Sequence, residues 1–146
     1  MLPSPPTPMP PRNEPTRRGR ALRILYAEDL RDLREVARVA LTRDGHTIEC
    51  VADGALALEK ITAAPDSLDL LITDHHMPRM NGLELVTALG AVPFTGKIIV
   101  FSSELSPAIG AAYLKLGVDR VLPKPIFPSE LRGVLADVFP SEASPP

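Results

Sequence analysis

Five short apolar segments recur along this chain, and each is followed by a stretch with helical spacing. This alternation limits the fold more than any other feature. The predicted strands are residues 22–27, 46–51, 68–73, 97–102 and 118–122. They lack the strict apolar–polar alternation of a sheet with one face in water. Strands of this kind, separated by helices, form a parallel sheet that helices cover on both faces. The sequence therefore predicts an α/β fold with five strands.

Local signals mark the ends of the five predicted helices. The helices lie between residues 30 and 44, 55 and 65, 81 and 90, 106 and 117, and 128 and 139. Asn81 is a predicted N-cap, with Glu84 three positions later in the place of a capping box. Ser106 and Pro107 form an N-cap and first-turn pair. Gly117 ends the fourth helix.

Composition narrows the class of protein. At 146 residues and 45% apolar content, the chain supports one domain with a real core. The net charge is −2, but residues 1–23 carry five arginines and one glutamate, so the remaining residues carry −6. Direct binding of nucleic acid needs a basic domain and is not expected.

No run approaches 18 apolar residues, so no membrane span is expected. Cys50 fits a small core residue, and these features together favour a cytoplasmic location.

The two ends of the chain differ from its middle. Seven of the first fifteen residues are proline, which prevents both a helix and a sheet ladder. We therefore predict a disordered arm rich in proline and arginine at residues 1–20, a folded domain at 21–139 and a disordered tail at 140–146. The arm is a loosely constrained extension, or the result of a misjudged start for which Met9 is the rival, or a docking or basic tethering segment.

Polar residues with chemical potential follow four of the five predicted strands. They are Glu28, Asp29, Asp74, Ser102 and Lys124. Ligands of open parallel sheets bind beyond the carboxyl ends of the strands, so we expect these side chains to converge there. Taken singly each has an ordinary explanation, since an acid such as Asp29 can cap a helix and a serine or lysine is common at surfaces. The combination of five groups favours a functional site.

A magnesium site explains three acids at one place. Two carboxylates about 4 Å apart repel by on the order of 4 kcal/mol at an effective dielectric of 20, and a divalent cation removes that cost. Oxygen ligands suit Mg²⁺. Asp74 could then attack phosphorus and form an aspartyl phosphate. Lys124 would share the developing negative charge with the metal, and Ser102 could donate a hydrogen bond to a phosphoryl oxygen.

Several segments of this chain resemble the receiver domain of two-component response regulators. The resemblance covers residues 21–138. Its most specific part is Asp-x-x-Met-Pro-x-Met-x-Gly, which begins at Asp74 and ends at Gly82. The supporting segments are Ile24-Leu25-Tyr26-Ala27-Glu28-Asp29, Ala52-Asp53-Gly54, Phe101-Ser102-Ser103 and Lys124-Pro125.

The resemblance implies a flavodoxin-like sheet of order 2-1-3-4-5 and a phosphoacceptor role for Asp74. It implies Mg²⁺ bound by Asp29, Asp74 and the backbone carbonyl of His76, with Glu28 acting through water. Ser102 and Lys124 take the roles of the family's hydroxyl and lysine, and the bond between Lys124 and Pro125 is expected to be cis.

The implied phosphoryl donor is a histidine kinase or a histidine phosphotransfer protein. The implied output surface is formed by helix 4, strand 5 and helix 5. Only seven residues follow the last predicted helix. We therefore expect the signal to leave by contact with another protein or by onward transfer of the phosphoryl group. Phosphorylation and dephosphorylation of its own Asp74 would be the only chemistry, so an enzyme acting on other substrates is not expected.

Three positions depart from the family pattern. Val121 stands where the family commonly has a switching aromatic residue, so either the output face responds through helix 4 alone, which we favour, or the coupling is weak. His75 and His76 follow the phosphoacceptor; a transition-metal site is conceivable, but His76 is expected to overhang the phosphoryl group and, with Glu104, to tune its hydrolysis. Proline at position 123 is tolerated chiefly on an edge strand, which agrees with the implied strand order.

Two other functions compete with this interpretation. A phosphohydrolase with an aspartate nucleophile usually carries a second aspartate two positions later, whereas this chain has His76 there. An interaction module of the same fold that is never phosphorylated is compatible with Val121, but the complete acid set argues against it.

Overall fold

A computed structural model describes residues 21–104 and 106–140 of the chain. The elements of this part are β1 (Arg23–Ala27), α1 (Arg31–Arg43), β2 (Thr47–Val51), α2 (Gly54–Ala63), β3 (Leu70–Asp74), α3 (Gly82–Leu89), β4 (Lys97–Ser102), α4 (Pro107–Lys115), β5 (Arg120–Pro123) and α5 (Pro128–Val138). A short 3₁₀ turn at Pro65–Ser67 precedes β3. The predicted arm at 1–20 lies outside the described residues, as does nearly all of the predicted tail.

The five strands form one parallel sheet in the order β2-β1-β3-β4-β5. Asp74, the last residue of β3, pairs with Phe101 of β4, and Ser102 pairs with Pro123 of β5. This register brings the carboxyl ends of the central strands to one edge. The predicted α/β class and the strand order implied by the resemblance are both confirmed.

The sheet is buried on both faces. β3 is buried along its whole length, as expected of a central strand without polar alternation. Leu25, Leu71 and Val100 belong to one core layer, whereas Ile72 and Ile99 belong to the opposite layer. Successive side chains of a strand point to opposite faces, so each central strand supplies both layers.

Helix ends follow the predicted capping signals in most places. Asn81 and Glu84 form the predicted capping box of α3, and the Ser106 side chain accepts a hydrogen bond from the Ile109 N–H at the start of α4. Leu30, and not Asp29, is the N-cap residue of α1. Asp29 is therefore left free for another role.

Helix α1 is less buried than its apolar spacing suggests. Leu41 is its one buried residue, while Leu33 and Val36 are 37% and 57% exposed. Both line an open groove of about 390 Å³ beside Pro125 and Ile126. The apolar spacing predicts the helix correctly, but it does not predict that part of the apolar face is exposed to solvent. Across the described residues no helix combines the length and the apolar character needed to cross a membrane.

Candidate functional site

The acidic residues at the ends of β1 and β3 lie together. Glu28, Asp29 and Asp74 each offer a carboxylate oxygen, and these oxygens lie within 4.8 Å of one another. Glu28 and Asp74 are buried, whereas Asp29 is exposed. The register of β1 with β3 causes this convergence, since the two strands are adjacent and parallel. The sequence predicted these three acids as a group.

Lys124 joins the group from the loop after β5. Its Nζ lies 3.1 Å from Oδ1 of Asp74 and 3.1 Å from Oε1 of Glu28. The backbone N–H of Lys124 donates to the carbonyl oxygen of Ser102, and the peptide bond that follows it, to Pro125, is cis as the resemblance implies. The ammonium therefore sits between the two buried carboxylates.

Glu28 is held in place by three donors. Its Oε1 accepts from the Tyr26 hydroxyl at 3.2 Å as well as from Lys124, and its Oε2 accepts from the Leu30 N–H at 3.1 Å. This carboxylate is completely buried. Buried charges need such partners to offset the loss of water.

Burial sets the electrostatics of the site. It raises the pKa of Asp74 above the ordinary value, and the charge of Asp29 acts in the same direction, while Lys124 opposes both. Burial also raises the pKa of Glu28, against the hydrogen bond from Leu30. For Lys124, burial alone would lower the pKa, but hydrogen bonds and charges from Asp74 and Glu28 outweigh it, and the pKa is raised. The two acids thus favour the positively charged form of Lys124.

The donor set fits a hard divalent cation. Three carboxylates within reach of one ion supply only oxygen ligands, and one of them, Asp29, is open to solvent. Mg²⁺ prefers oxygen ligands and retains water, which an exposed site allows. The backbone carbonyl of His76 stays a predicted fourth contributor.

Ser102 ends β4 and is almost fully buried. Its hydroxyl oxygen accepts a hydrogen bond from the Glu104 N–H at 3.1 Å. Oε1 of Glu104 lies 3.1 Å from Nε2 of His76, and both side chains are more than half exposed. The predicted association of His76 with Glu104 is thus present at the surface.

The two adjacent histidines, His75 and His76, contact different side chains. Nδ1 of His75 lies 2.5 Å from the Tyr113 hydroxyl, whereas Nε2 of His76 faces Glu104. No cluster of three possible ligands in the described residues includes either histidine. The geometry gives no support to the transition-metal alternative.

Two contacts at this site were not expected from the sequence. One is the contact of His75 with Tyr113, a residue of α4 that is fully buried. Asp53, which caps α2 through the Leu56 N–H, also accepts from Nε of Arg79 at 3.1 Å. Arg79 has a φ of 66°, a left-handed conformation that is uncommon outside glycine. The only sequence signal was Asp53 before Gly54.

The predicted departures in β5 are visible in the sheet. Val121 is half-buried and pairs with Val100. Pro123 lies on the edge strand, where its missing N–H costs no ladder bond. A valine at this place has no ring to rotate.

Known proteins resemble this chain in sequence. A family model described as the response regulator receiver domain matches residues 24–136. The response regulator MprA of Mycobacterium ulcerans is 39% identical over 111 residues, which cover 76% of this chain and 47% of that protein. The sensory/regulatory protein RpfC of Xanthomonas campestris is 31% identical over 125 residues, covering 83% and 17%. The chain thus spans about half the length of MprA and much less of RpfC.

Solved structures resemble the whole described fold. The chemotaxis protein CheY4 of Vibrio cholerae matches with a TM-score of 0.74 and 29% identity, covering 82% of this chain and 100% of that one. The receiver domain of the response regulator NarL from Mycobacterium tuberculosis matches with a TM-score of 0.72 and 26% identity, covering 81% and 95%.

Proposed function

Because the chain belongs to the response regulator receiver family, we propose that it accepts a phosphoryl group on Asp74. The donor is a histidine kinase or a histidine phosphotransfer protein, as is usual for the family. Receiver domains are signalling domains and not enzymes for external substrates. The proposal therefore concerns the chemistry of one carboxylate and the surface that responds to it.

The observation that carries this proposal is the position of Lys124. Its ammonium contacts Asp74 and Glu28 at the same distance of 3.1 Å, beside a third acid that is exposed. A cation fixed at the nucleophile is suited to the charge of a transferred phosphoryl group. Phosphoryl transfer depends mainly on such positioning and charge stabilisation.

In the proposed reaction, Asp74 is the one residue that forms a covalent bond. A carboxylate oxygen of Asp74 forms a bond to phosphorus while the P–N bond of a phosphohistidine breaks. The electron pair of that bond returns to the imidazole nitrogen, which takes up a proton. Later attack by water at phosphorus releases inorganic phosphate and a proton, and restores the carboxylate.

Each neighbouring side chain has a separate part in the proposal. Lys124 holds the phosphoryl oxygens through its ammonium, and Ser102 turns its hydroxyl from the Glu104 N–H toward them. Asp29, Asp74 and the His76 carbonyl would hold Mg²⁺, with Glu28 acting through water. The metal supplies neutralisation of the phosphoryl charge when bound.

The signal leaves through a protein surface. We assign this surface to α4, β5 and α5, whose arrangement would shift between two populations on phosphorylation. Onward transfer to a histidine phosphotransfer protein is the other route, and the cytoplasmic location expected from the sequence remains a prediction.

Acetyl phosphate and Mg²⁺ provide the direct test, read by intact mass. We expect one phosphoryl adduct on the wild-type protein, and none for Asp74→Asn or after chelation of the metal. Asp66→Asn, which changes an exposed acid in the turn before β3, is the matched control and should be phosphorylated normally. An adduct that survives in Asp74→Asn, or no adduct on the wild type, would refute the proposal.

A second measurement separates the two output routes. The phosphorylated protein is mixed with an isolated histidine phosphotransfer domain, and the phosphoryl group is followed on both proteins. Rapid loss from Asp74 with gain on the partner's histidine would favour the shuttle. Retention on Asp74 would favour an effector that acts by contact.

A further inference from the structure

A buried hydrogen bond joins helix α4 to the residue that follows Asp74. The Tyr113 hydroxyl and Nδ1 of His75 are 2.5 Å apart, and their rings meet edge to face with centroids 5.5 Å apart. Tyr113 has no exposed surface, and His75 is 8% exposed. The bond spans 38 positions of sequence, so it is a tertiary contact between two separate elements.

His75 is rigidly placed at its own end of this bond. Its backbone N–H donates to the Phe101 carbonyl of β4, and its carbonyl accepts from the Gly82 N–H at the start of α3. These two hydrogen bonds fix the backbone of His75 relative to β4 and α3, directly beside Asp74. The side chain projects from this fixed backbone toward α4.

Gly82 provides the space for the tyrosine. A Cβ atom at this position would lie 2.6 Å from the Tyr113 hydroxyl and 2.7 Å from the carbonyl oxygen of Asp74. Both distances are shorter than any ordinary contact. The hydroxyl of Tyr113 thus reaches close to the backbone of the proposed phosphoacceptor itself.

Tyr113 makes the main buried contact of helix α4. It is the one buried residue of α4, and the half-buried Ile109 also packs against the core. The other residues before it are small: Ala108, Gly110, Ala111 and Ala112. Small side chains give a helix little apolar area with which to fix its position. The position of α4 is therefore sensitive to whatever Tyr113 contacts.

A parallel contact joins the same loop to the segment before α4. Nε2 of His76 faces Glu104, and the Glu104 N–H donates to Ser102. The rings of His75 and His76 touch edge to face at 4.7 Å. The two residues after Asp74 thus contact both α4 and the β4–α4 loop.

We propose that Tyr113 is a positioning residue whose hydrogen bond to His75 couples the state of Asp74 to the position of helix α4. The coupling takes a buried route on the inner side of α4, independent of the residue at position 121. This inference rests on the proposed phosphorylation of Asp74. It assigns Tyr113 no contact with the phosphoryl group.

Hydrogen exchange of the α4 amides provides the test, with and without beryllofluoride and Mg²⁺ as the phosphoryl analogue. For the wild-type protein we expect the exchange rates of α4 to change about fivefold or more, in line with usual coupling between sites. In Tyr113→Phe, which removes only the hydroxyl, the change should shrink to less than about twofold. Uptake of a phosphoryl group from acetyl phosphate should stay the same as in wild type.

Ser106→Ala is the matched control. It removes the hydroxyl that accepts from Ile109 and caps α4, so it loosens the helix without touching the link to His75. We expect faster exchange in α4 both with and without the analogue, but an undiminished ratio between the two. An equal loss of ratio in this control would overturn the inference, because general loosening would then explain both variants.

If Tyr113→Phe does not fold, two substitutions of His75 test the same hydrogen bond from its other end. His75→Asn keeps an acceptor oxygen near the position of Nδ1 and should retain the response of α4, whereas His75→Leu should lose it. If Tyr113→Phe or His75→Leu is phosphorylated and α4 responds as in wild type, the inference is wrong while the proposed function stands. If the wild type takes up neither phosphoryl group nor analogue, the proposed function itself is wrong.

Discussion

Replacing Asp74 by asparagine should make the metal-free protein more stable, although it removes the proposed phosphoacceptor. The side chain is 7% exposed and lies among two other acids and one lysine. Asparagine has nearly the same shape but carries no charge. The change therefore isolates the electrostatic cost of the carboxylate from its packing.

The distances give the expected magnitude. At no more than 4.8 Å, each repulsion of Asp74 by Glu28 and by Asp29 costs at least about 3.5 kcal/mol at an effective dielectric of 20. The attraction to Lys124 at 3.1 Å returns about 5 kcal/mol on the same scale. Solvent weakens the effect of the exposed Asp29. The net gain for Asp74→Asn is thus about 1–2 kcal/mol, or roughly 3–10 °C in melting temperature.

The pKa of Asp74 predicts how this gain depends on pH. Because burial raises that pKa above its ordinary 3.8, the folded protein binds more protons than the unfolded chain between the ordinary and the raised value. Stability should therefore fall as the pH rises through this window. Glu28 adds to the fall in the same direction. Asp74→Asn should show a smaller fall than the wild type.

Urea denaturation in the presence of a chelator measures the difference in the free energy of unfolding between the wild type and Asp74→Asn. Asp66→Asn is the control for net charge. Mg²⁺ at ten times its dissociation constant should stabilise the wild type by about 1.4 kcal/mol and the Asp74→Asn variant by much less. The reasoning would be refuted by an Asp74→Asn protein that is no more stable than the wild type without metal at neutral pH.

Three further predictions follow from individual contacts. Lys124→Met should destabilise the metal-free protein by about 3 kcal/mol in urea denaturation, because it leaves the buried carboxylates of Asp74 and Glu28 without their shared positive charge. Arg120→Met, at an exposed ion pair, should cost less than about 1 kcal/mol. In thermal unfolding Gly133→Ala, in α5 with no atom near its Cβ, should stabilise by about 0.5–1 kcal/mol, whereas Gly82→Ala should destabilise by about 1–3 kcal/mol. His76→Ala should change the lifetime of the phosphoryl adduct, followed by mass over time, without preventing phosphorylation; an unchanged lifetime would contradict the role of His76.

The fold could be predicted from the sequence because local signals and the global pattern agree. Apolar strands without alternation fix a parallel sheet, and caps such as Asn81 and Ser106 fix helix starts. The convergence of Glu28, Asp29 and Asp74 followed from a general property of parallel sheets, since all strands end at the same edge. Neither inference needed any knowledge of which side chains touch.

Contacts between side chains that are distant in sequence could not be predicted from the sequence. The hydrogen bond between His75 and Tyr113 joins residues 38 positions apart on two separate elements, and no spacing rule predicts which side chains of such elements meet. The sequence showed α4 only as a helix of small residues that is easy to rearrange. Likewise, the apolar face of α1 predicts a helix, but its exposure depends on where the loop after β5 runs.

The departures from ordinary protein chemistry gather at one place. Glu28 is completely buried with a charge, Asp74 has a raised pKa, and Arg79 adopts a left-handed conformation. Each of these costs free energy and persists only because surrounding contacts enforce it. Natural sequences break local rules mainly where function requires it. A divalent cation bound between the acids would remove their mutual repulsion, so the crowding that costs the fold free energy is also what would favour the proposed Mg²⁺.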